Sequence, residues 1–188
     1  MKKLLSLLLC LLMLVPSALA QTATETVTVD FGDFTMELSP NDAWQLGEKL
    51  DNQVMAMVYV NLDPTASFHE NFNVVWSNAS ITDELAGHGA EAYGQNSVDQ
   101  TKETMQTMGI EVIDYQLVSA VYENNTYTQI TYMDLDYTGA GIPMRIQQYQ
   151  TQVFLAQPDN STYIFTFTAA DPTRLAELSA YLDTIIYK

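Results

Sequence analysis

The chain has 188 residues, with 23 acidic side chains against 7 basic ones, a formal charge of −16, and a single cysteine. That acidity argues against phosphate backbones and anionic lipid surfaces as partners. One cysteine leaves no internal disulfide and no cysteine metal cluster, and the length suits one domain with one core.

Lys2 and Lys3 precede an apolar run from Leu4 to Val15, and Pro16-Ser17-Ala18-Leu19-Ala20 add a helix breaker and small residues. This is the pattern of a bacterial Sec-type secretory signal peptide, with cleavage expected after Ala20. The run of roughly 12 apolar residues falls short of the roughly 20 that span a bilayer, and no later stretch is long and apolar enough. The expected location is therefore extracytoplasmic, secreted or at the cell envelope. Cys10 leaves with the signal; Leu9 before it is not the small residue a lipoprotein signal requires. Removing 20 of the 188 residues leaves 168, and the loss of Lys2 and Lys3 takes the formal charge from −16 to −18. The remaining cations, Lys49, Lys102, Arg145, Arg174 and Lys188, form no run, so nucleic acid is not an expected partner.

After a polar leader over residues 21–25, the chain reads as one continuous domain to Lys188. Phe34, Met36 and Leu38 alternate with Thr35 and Glu37 as a strand with one buried face, ended by Ser39-Pro40-Asn41-Asp42. A short helix is predicted from Ala43 to Leu50, then an apolar strand from Met55 to Val60, then a strand carrying Phe72, Val74 and Trp76. Ser80-Ile81-Thr82-Asp83 is a capping-box type helix start, followed by Ile81, Leu85, His88 and Ala92 at helical spacing. Gly87, Gly89 and Gly94 weaken that helix. One kinked helix or two consecutive ones are predicted, with the break near Asn96, a second cap at Ser97-Val98-Asp99-Gln100, a face of Val98, Met105 and Met108, and a stop at Gly109. Strands are predicted over Ile110 to Val118, Tyr127 to Tyr137, Arg145 to Ala156 and Thr162 to Thr168, joined by turns at Glu123-Asn124-Asn125, Thr138 to Pro143 and Gln157-Pro158-Asp159-Asn160. Such short connections imply antiparallel neighbours. Asp171 as N-cap and Pro172 at the first helical position open a terminal helix with Leu175, Leu178, Leu182 and Ile185 on one face.

Three features in this order, over about residues 33 to 187, resemble the PsbP-like superfamily, which includes the Mog-type Ran-binding proteins and the DcrB-like group of small secreted bacterial proteins. They are the Pro40 and Trp44 element, the asparagine-bearing strand Phe72-Asn73-Val74-Val75 before the long helix, and Thr162-Tyr163-Ile164-Phe165-Thr166-Phe167-Thr168 before a terminal amphipathic helix. The resemblance implies an α+β fold, an antiparallel sheet of about six strands flanked by helices in an α/β/α sandwich. It also implies a binding or assembly module without catalysis. No ligand and no partner-contacting residue carries over, because a shared scaffold does not transfer function.

Two histidines, His69 and His88, are the available imidazoles. Neither sits near a Gly-x-Ser-x-Gly elbow, and the chain has no His-Glu-x-x-His helix, phosphate-binding glycine loop or dinucleotide fingerprint. No cofactor is implied. Glu84, His88 and Glu91, at spacings of four and three, would line one face of an unbroken helix and offer a divalent-metal row, with His69 as a possible fourth ligand. Asp134 and Asp136 project from one side of a strand and would share a calcium ion. The third candidate is the glutamine strand, where Gln147, Gln148, Gln150 and Gln152 surround Tyr149; Gln148, Tyr149 and Gln150 would recognise a glycan or peptide on an open sheet face. The expected function is an exported non-enzymatic module binding a protein, peptide or glycan at the cell envelope. The alternatives are a divalent-metal-binding protein built on the carboxylate and histidine clusters, and an unconventional hydrolase.

Overall fold

A computed structural model of the chain describes residues 27–30, 34–38, 44–46, 54–60 and 70–188; the expected signal peptide and leader, Pro40 and His69 lie outside the described residues. In chain order the elements are β1 (Val27–Asp30), β2 (Phe34–Leu38), β3 (Trp44–Leu46), β4 (Val54–Val60), β5 (Asn71–Ser77), α1 (Ile81–Leu85), α2 (Ala90–Thr107), β6 (Glu111–Glu123), β7 (Thr126–Asp136), β8 (Arg145–Ala156), β9 (Thr162–Ala169), α3 (Pro172–Ser179) and β10 (Ile186–Tyr187). Seven strands form one sheet in the order β3-β4-β5-β9-β8-β7-β6, antiparallel at every junction, and β1, β2 and β10 form a separate small sheet. No helix among the described residues is long and apolar enough to cross a membrane.

The two faces of the large sheet follow from strand alternation. Phe72 and Val74 of β5, Val153 of β8 and Tyr163, Phe165 and Phe167 of β9 point one way, where Leu175 and Leu178 of α3 and Phe34 and Met36 of β2 cover them. The opposite face carries Tyr127, Met133 and Leu135 of β7, Ile146 and Phe154 of β8 and Ile164 of β9, packed beneath α1 and α2 through Ile81, Leu85, Val98 and Met105. All eight residues of β9 are buried, as the middle layer of a sandwich requires.

Several local signals act as their chemistry dictates. Ser80 Oγ accepts from the Asp83 amide at 3.3 Å and caps α1. Asp171 Oδ1 accepts from the amides of Thr173 and Arg174, both at 2.9 Å, with Pro172 opening α3. Asn124 and Asn125 take positive φ of 51° and 62°, which makes the two-residue β6–β7 connection a hairpin turn of the twist-compatible kind.

Other expectations are corrected. The helix predicted from Ala43 to Leu50 is replaced at its core by β3, which pairs Trp44 with Val60 and Leu46 with Val58. Trp-Gln-Leu alternates with period two, and the apolar β4 needs a partner on that edge. The predicted break near Asn96 is absent: α2 runs unbroken through it, with Ser97 inside rather than at a cap. Instead the chain breaks at Gly87–Gly89, where Gly89 holds φ 76°. Gly94, Val98, Thr101 and Met105 are buried along one stripe of α2, and that packing carries the helix through its weak sequence. The strand predicted to end at Val118 continues to Glu123, with irregular register on either side of Ile113 and Val118. The terminal helix tightens into a 3₁₀ turn over Ala180–Thr184, and Leu182 and Ile185 still pack partly against the core.

Gly94 is where α2 comes closest to the sheet. A Cβ there would lie 2.8 Å from Tyr127 Oη and 3.1 Å from both δ carbons of Leu117. Alanine would gain up to about 1 kcal/mol of helix propensity, but overpacking against a fully buried ring costs about 1–3 kcal/mol. Gly94→Ala is therefore expected to lower the urea midpoint, and Gly94→Val to lower it further; a gain in stability for the alanine variant would show that α2 is free to ride outward.

Candidate ligand-binding cavity

The helix-covered face of the sheet is half apolar and half polar. Where α2 crosses β6 and β7, Val98 and Met105 meet Met133, Leu135 and Ile146. Toward β8, β9 and β5 the same face turns to amides and hydroxyls, with Gln148, Gln150 and Gln152 on β8, Gln129 and Thr131 on β7, Thr162, Thr166 and Thr168 on β9, and Asn71, Asn73 and Ser77 on β5, all buried. So many buried polar groups are tolerable only if they pair. Tyr127 Oη donates to Gln129 Oε1 at 2.9 Å, Gln129 Nε2 donates to Gln152 Oε1, and Gln152 Nε2 donates to Thr166 Oγ1 at 3.4 Å. Thr162 Oγ1 donates to the Ala79 carbonyl at 2.7 Å and accepts from the Ile81 amide at 3.1 Å, which pins the start of α1 to the sheet.

Between α1, α2 and this polar strip lies a cavity of about 350 Å³. Its floor is Gln150, Gln152, Thr162 and Ile164; Ser97, Gln100 and Thr101 of α2 form one wall; Ser80, Glu84 and Tyr93 flank it from the two helices. Phe154 and Tyr115 supply aromatic surface, and Tyr93 stands edge-on to Tyr127 with ring centroids 5.1 Å apart. The space exists because α1 is only five residues long and α2 is drawn toward β6 and β7 at Gly94. Burial pushes the Tyr93 phenol up to about 12, with the nearby Glu84 carboxylate adding to the shift. The Tyr127 phenol moves upward by burial and by its neighbour Tyr93, and burial raises Tyr115 with the Thr101 and Thr131 hydroxyls close enough to offset part of it. These phenols are neutral donors at physiological pH.

Of the glutamine strand, Gln150 and Gln152 line the cavity. Gln148 shares their face but lies under α2, 1% exposed, where its Nε2 reaches Met133 Sδ at 3.9 Å and its Oε1 has no partner; Thr131 Oγ1 also closes no hydrogen bond. Tyr149 points to the other face, against Tyr132 at a centroid distance of 5.0 Å, and Gln147 is there too, donating to Asp134 Oδ2 at 2.9 Å. Strand alternation thus separates Tyr149 from Gln148 and Gln150.

The proposed metal row is likewise divided. Glu84 sits in α1, His88 in the turn after it and Glu91 in the first turn of α2, so the break at Gly87–Gly89 removes the shared helix face. Asp134 and Asp136 do share a strand side, but Asp134 is engaged by Arg145, whose Nε and Nη2 donate at 2.8 and 2.6 Å, and Asp136 accepts from the Thr138 amide at 2.8 Å. Among the described residues no three His, Cys, Asp or Glu side chains converge as metal ligands.

Sequence reasoning missed the α2 wall. Its signal was present: Tyr93, Ser97 and Thr101 recur every four residues beside the buried Val98 and Met105, a polar stripe adjoining the apolar one.

The Arg145 guanidinium holds the Asp134 carboxyl below its ordinary value, as hydrogen bonds from Thr138 do for Asp136. A lowered folded-state pKa stabilises above the unfolded value of about 3.9 and is lost as the pH falls through the folded one. Asp134→Asn is therefore expected to melt below wild type at neutral pH, with the gap closing in acid. A gap that is constant across the acid limb would show that the pair contributes nothing through ionisation.

No family model and no curated protein matches the sequence. Among solved structures, CyanoP, the cyanobacterial PsbP of Synechocystis, superposes with a TM-score of 0.51 at 10% identity, over 95% of this chain and 99% of that one. The Ran-binding protein Mog1p of Saccharomyces cerevisiae gives a TM-score of 0.45 at 8% identity, over 87% of this chain and 95% of that one. The chain has the PsbP-like fold.

Proposed function

We propose that this chain is an exported, non-enzymatic binding module that takes a segment of glycan or peptide at the cell envelope into the cavity between α1, α2 and the sheet. The observation that carries this reading is the cavity's lining, mostly neutral amides and hydroxyls with aromatic surface beside them. Its volume of about 350 Å³ falls at the small end of the roughly 300–1,000 Å³ typical of ligand sites, enough for a short stretch of a larger molecule. His88 is not part of the lining, so among the described residues the serine hydroxyls there face no imidazole base. An amide-rich, uncharged floor suits recognition by hydrogen bonds rather than proton transfer.

A panel of cell-wall fragments, neutral oligosaccharides and short peptides tests this by thermal shift on residues 21–188, since a ligand that binds only the folded state raises Tm by mass action. Gln150→Ala should weaken any binding found by about five- to tenfold, the worth of roughly 1 kcal/mol for one hydrogen bond. Tyr149→Ala, on the other face, should leave it unchanged. Equal affinity in the Gln150 variant, or a loss confined to the Tyr149 variant, would move the site away from the cavity. Export is checked separately by the mass of the protein recovered from the cell envelope, expected to begin at Gln21.

A further inference from the structure

Resting on that cavity reading, we infer that its ligand is a hydroxylated amine, a sugar with a free protonated amino group, whose ring bonds to Gln150 and whose ammonium meets Glu84. The inference begins with which polar groups of the cavity are already spent. Gln152 is held at both ends, by Gln129 and Thr166; Thr162 is held by Ala79 and Ile81; Ser80 Oγ caps α1. Gln150 is different. Its side chain lines the cavity, the residue is 8% exposed, and it makes no side-chain hydrogen bond to a described residue. A buried amide left this way is a free donor and acceptor awaiting a partner from the cavity, unlike its neighbours Gln148 and Thr131, whose unpaired oxygens do not line it. A carboxamide offers both functions side by side, which matches a hydroxyl as donor and acceptor alike.

Charge supplies the second half. Among the described lining residues there is no lysine, arginine or histidine, and the one acidic group is Glu84 at the end of α1. Glu84 forms no ion pair with a described residue, and it is close enough to raise the Tyr93 phenol, so carboxylate and ring occupy one corner. A carboxylate beside an aromatic face attracts a cation and repels an anion. With a formal charge of −16 on the whole chain behind it, the site excludes phosphate and carboxylate ligands and favours an ammonium. Hydroxyl recognition at Gln150 and ammonium recognition at Glu84 together describe an amino sugar that is not acetylated.

Calorimetric titration of residues 21–188 with glucosamine dimer and with its N,N′-diacetylated counterpart tests this, because the pair differs in charge and not in backbone. The free amine is expected to bind at least tenfold more tightly at low salt. Glu84→Gln should remove that preference while leaving Tm within a degree or so of wild type, Glu84 being exposed, and Gln150→Ala should weaken both sugars. If the acetylated dimer binds as well and remains sensitive to Gln150→Ala, the charge inference is overturned and the cavity reading stands. If a lysine tripeptide binds with the same Glu84 dependence and neither sugar does, the sugar is overturned and the cavity reading keeps its peptide. Binding of either sugar that ignores both substitutions overturns the inference and the cavity reading together, and no binding of any of the three probes at millimolar concentration overturns the inference.

Discussion

Everything else in this fold is arranged around β9. Its eight residues are buried on both sides, so each neighbouring element has to supply a complete layer. On the side of Tyr163, Phe165 and Phe167 the solution is conventional: α3 and the small sheet bring Leu175, Leu178, Phe34 and Met36 into one apolar cluster, with Phe34 edge-on to Tyr163 at 5.3 Å. On the side of Thr162, Ile164, Thr166 and Thr168 it is not. Period-two alternation places those threonines in line with the even-numbered glutamines of β8 and the asparagines of β5, and an apolar helix laid flat over them would strand their polar atoms at a cost of about 1–3 kcal/mol each. The molecule meets most of that constraint in two ways, leaving Gln148 Oε1 and Thr131 Oγ1 unpaired. Part of the strip pairs with itself through Tyr127, Gln129, Gln152 and Thr166, and part faces a cavity that the helices leave open.

The described ion pairs lie away from the cavity lining. Of the four described cations, Arg145 is held by Asp134, Lys188 by Asp30 and Arg174 by Glu70 and Glu177. The exposed Lys188–Asp30 pair contributes little to stability but fastens the C-terminus to β1, and Arg174, through the buried carboxylate of Glu70, fastens α3 to the residue before β5. Three scarce positive charges are thereby committed to architecture. The fourth, Lys102, follows the cavity-lining Thr101 on α2 but is not itself part of the described lining, where Glu84 is the charged group.

Much of the fold was legible because its strands are long and strongly patterned. β8 runs from Arg145 to Ala156 as its alternation and flanking turns predict, and Asp171-Pro172 opens α3 as cap and first residue. What misled was local signal overruled by tertiary contact. The glycines did break the helical region, but at Gly87–Gly89 rather than near Asn96, because Gly94 lies against Tyr127 and Leu117 and is worth keeping helical. That one shift separates Glu84 from Glu91 and dissolves the metal row. Adjacency in sequence groups Tyr149 with Gln148 and Gln150, although strand geometry sends neighbours to opposite faces. The cavity itself was not legible, since it is assembled from β5, α1, α2, β6, β8 and β9, and no window of sequence holds more than a fragment of it.

Gln148 and Gln150 show how a difference of two residues on one strand becomes a difference of role. Both amides point beneath the helices, and both are more than nine-tenths buried. Gln148 is outside the cavity lining, its Nε2 on Met133 Sδ, so its Oε1 is simply unpaired, a local cost that packing elsewhere in the core must offset. Gln150 sits where α2 has moved away, so its unmet hydrogen bonds are available to whatever occupies the space. A polar cavity of this size holds water when it holds nothing else. A ligand that reproduces those hydrogen bonds gains the release of that water, while the neighbouring Gln152 and Thr162, already fixed by their own partners, need no reordering. Preorganisation of this kind comes from the same buried network that makes the polar strip tolerable, so the fold's stability and the readiness of the site have one physical origin.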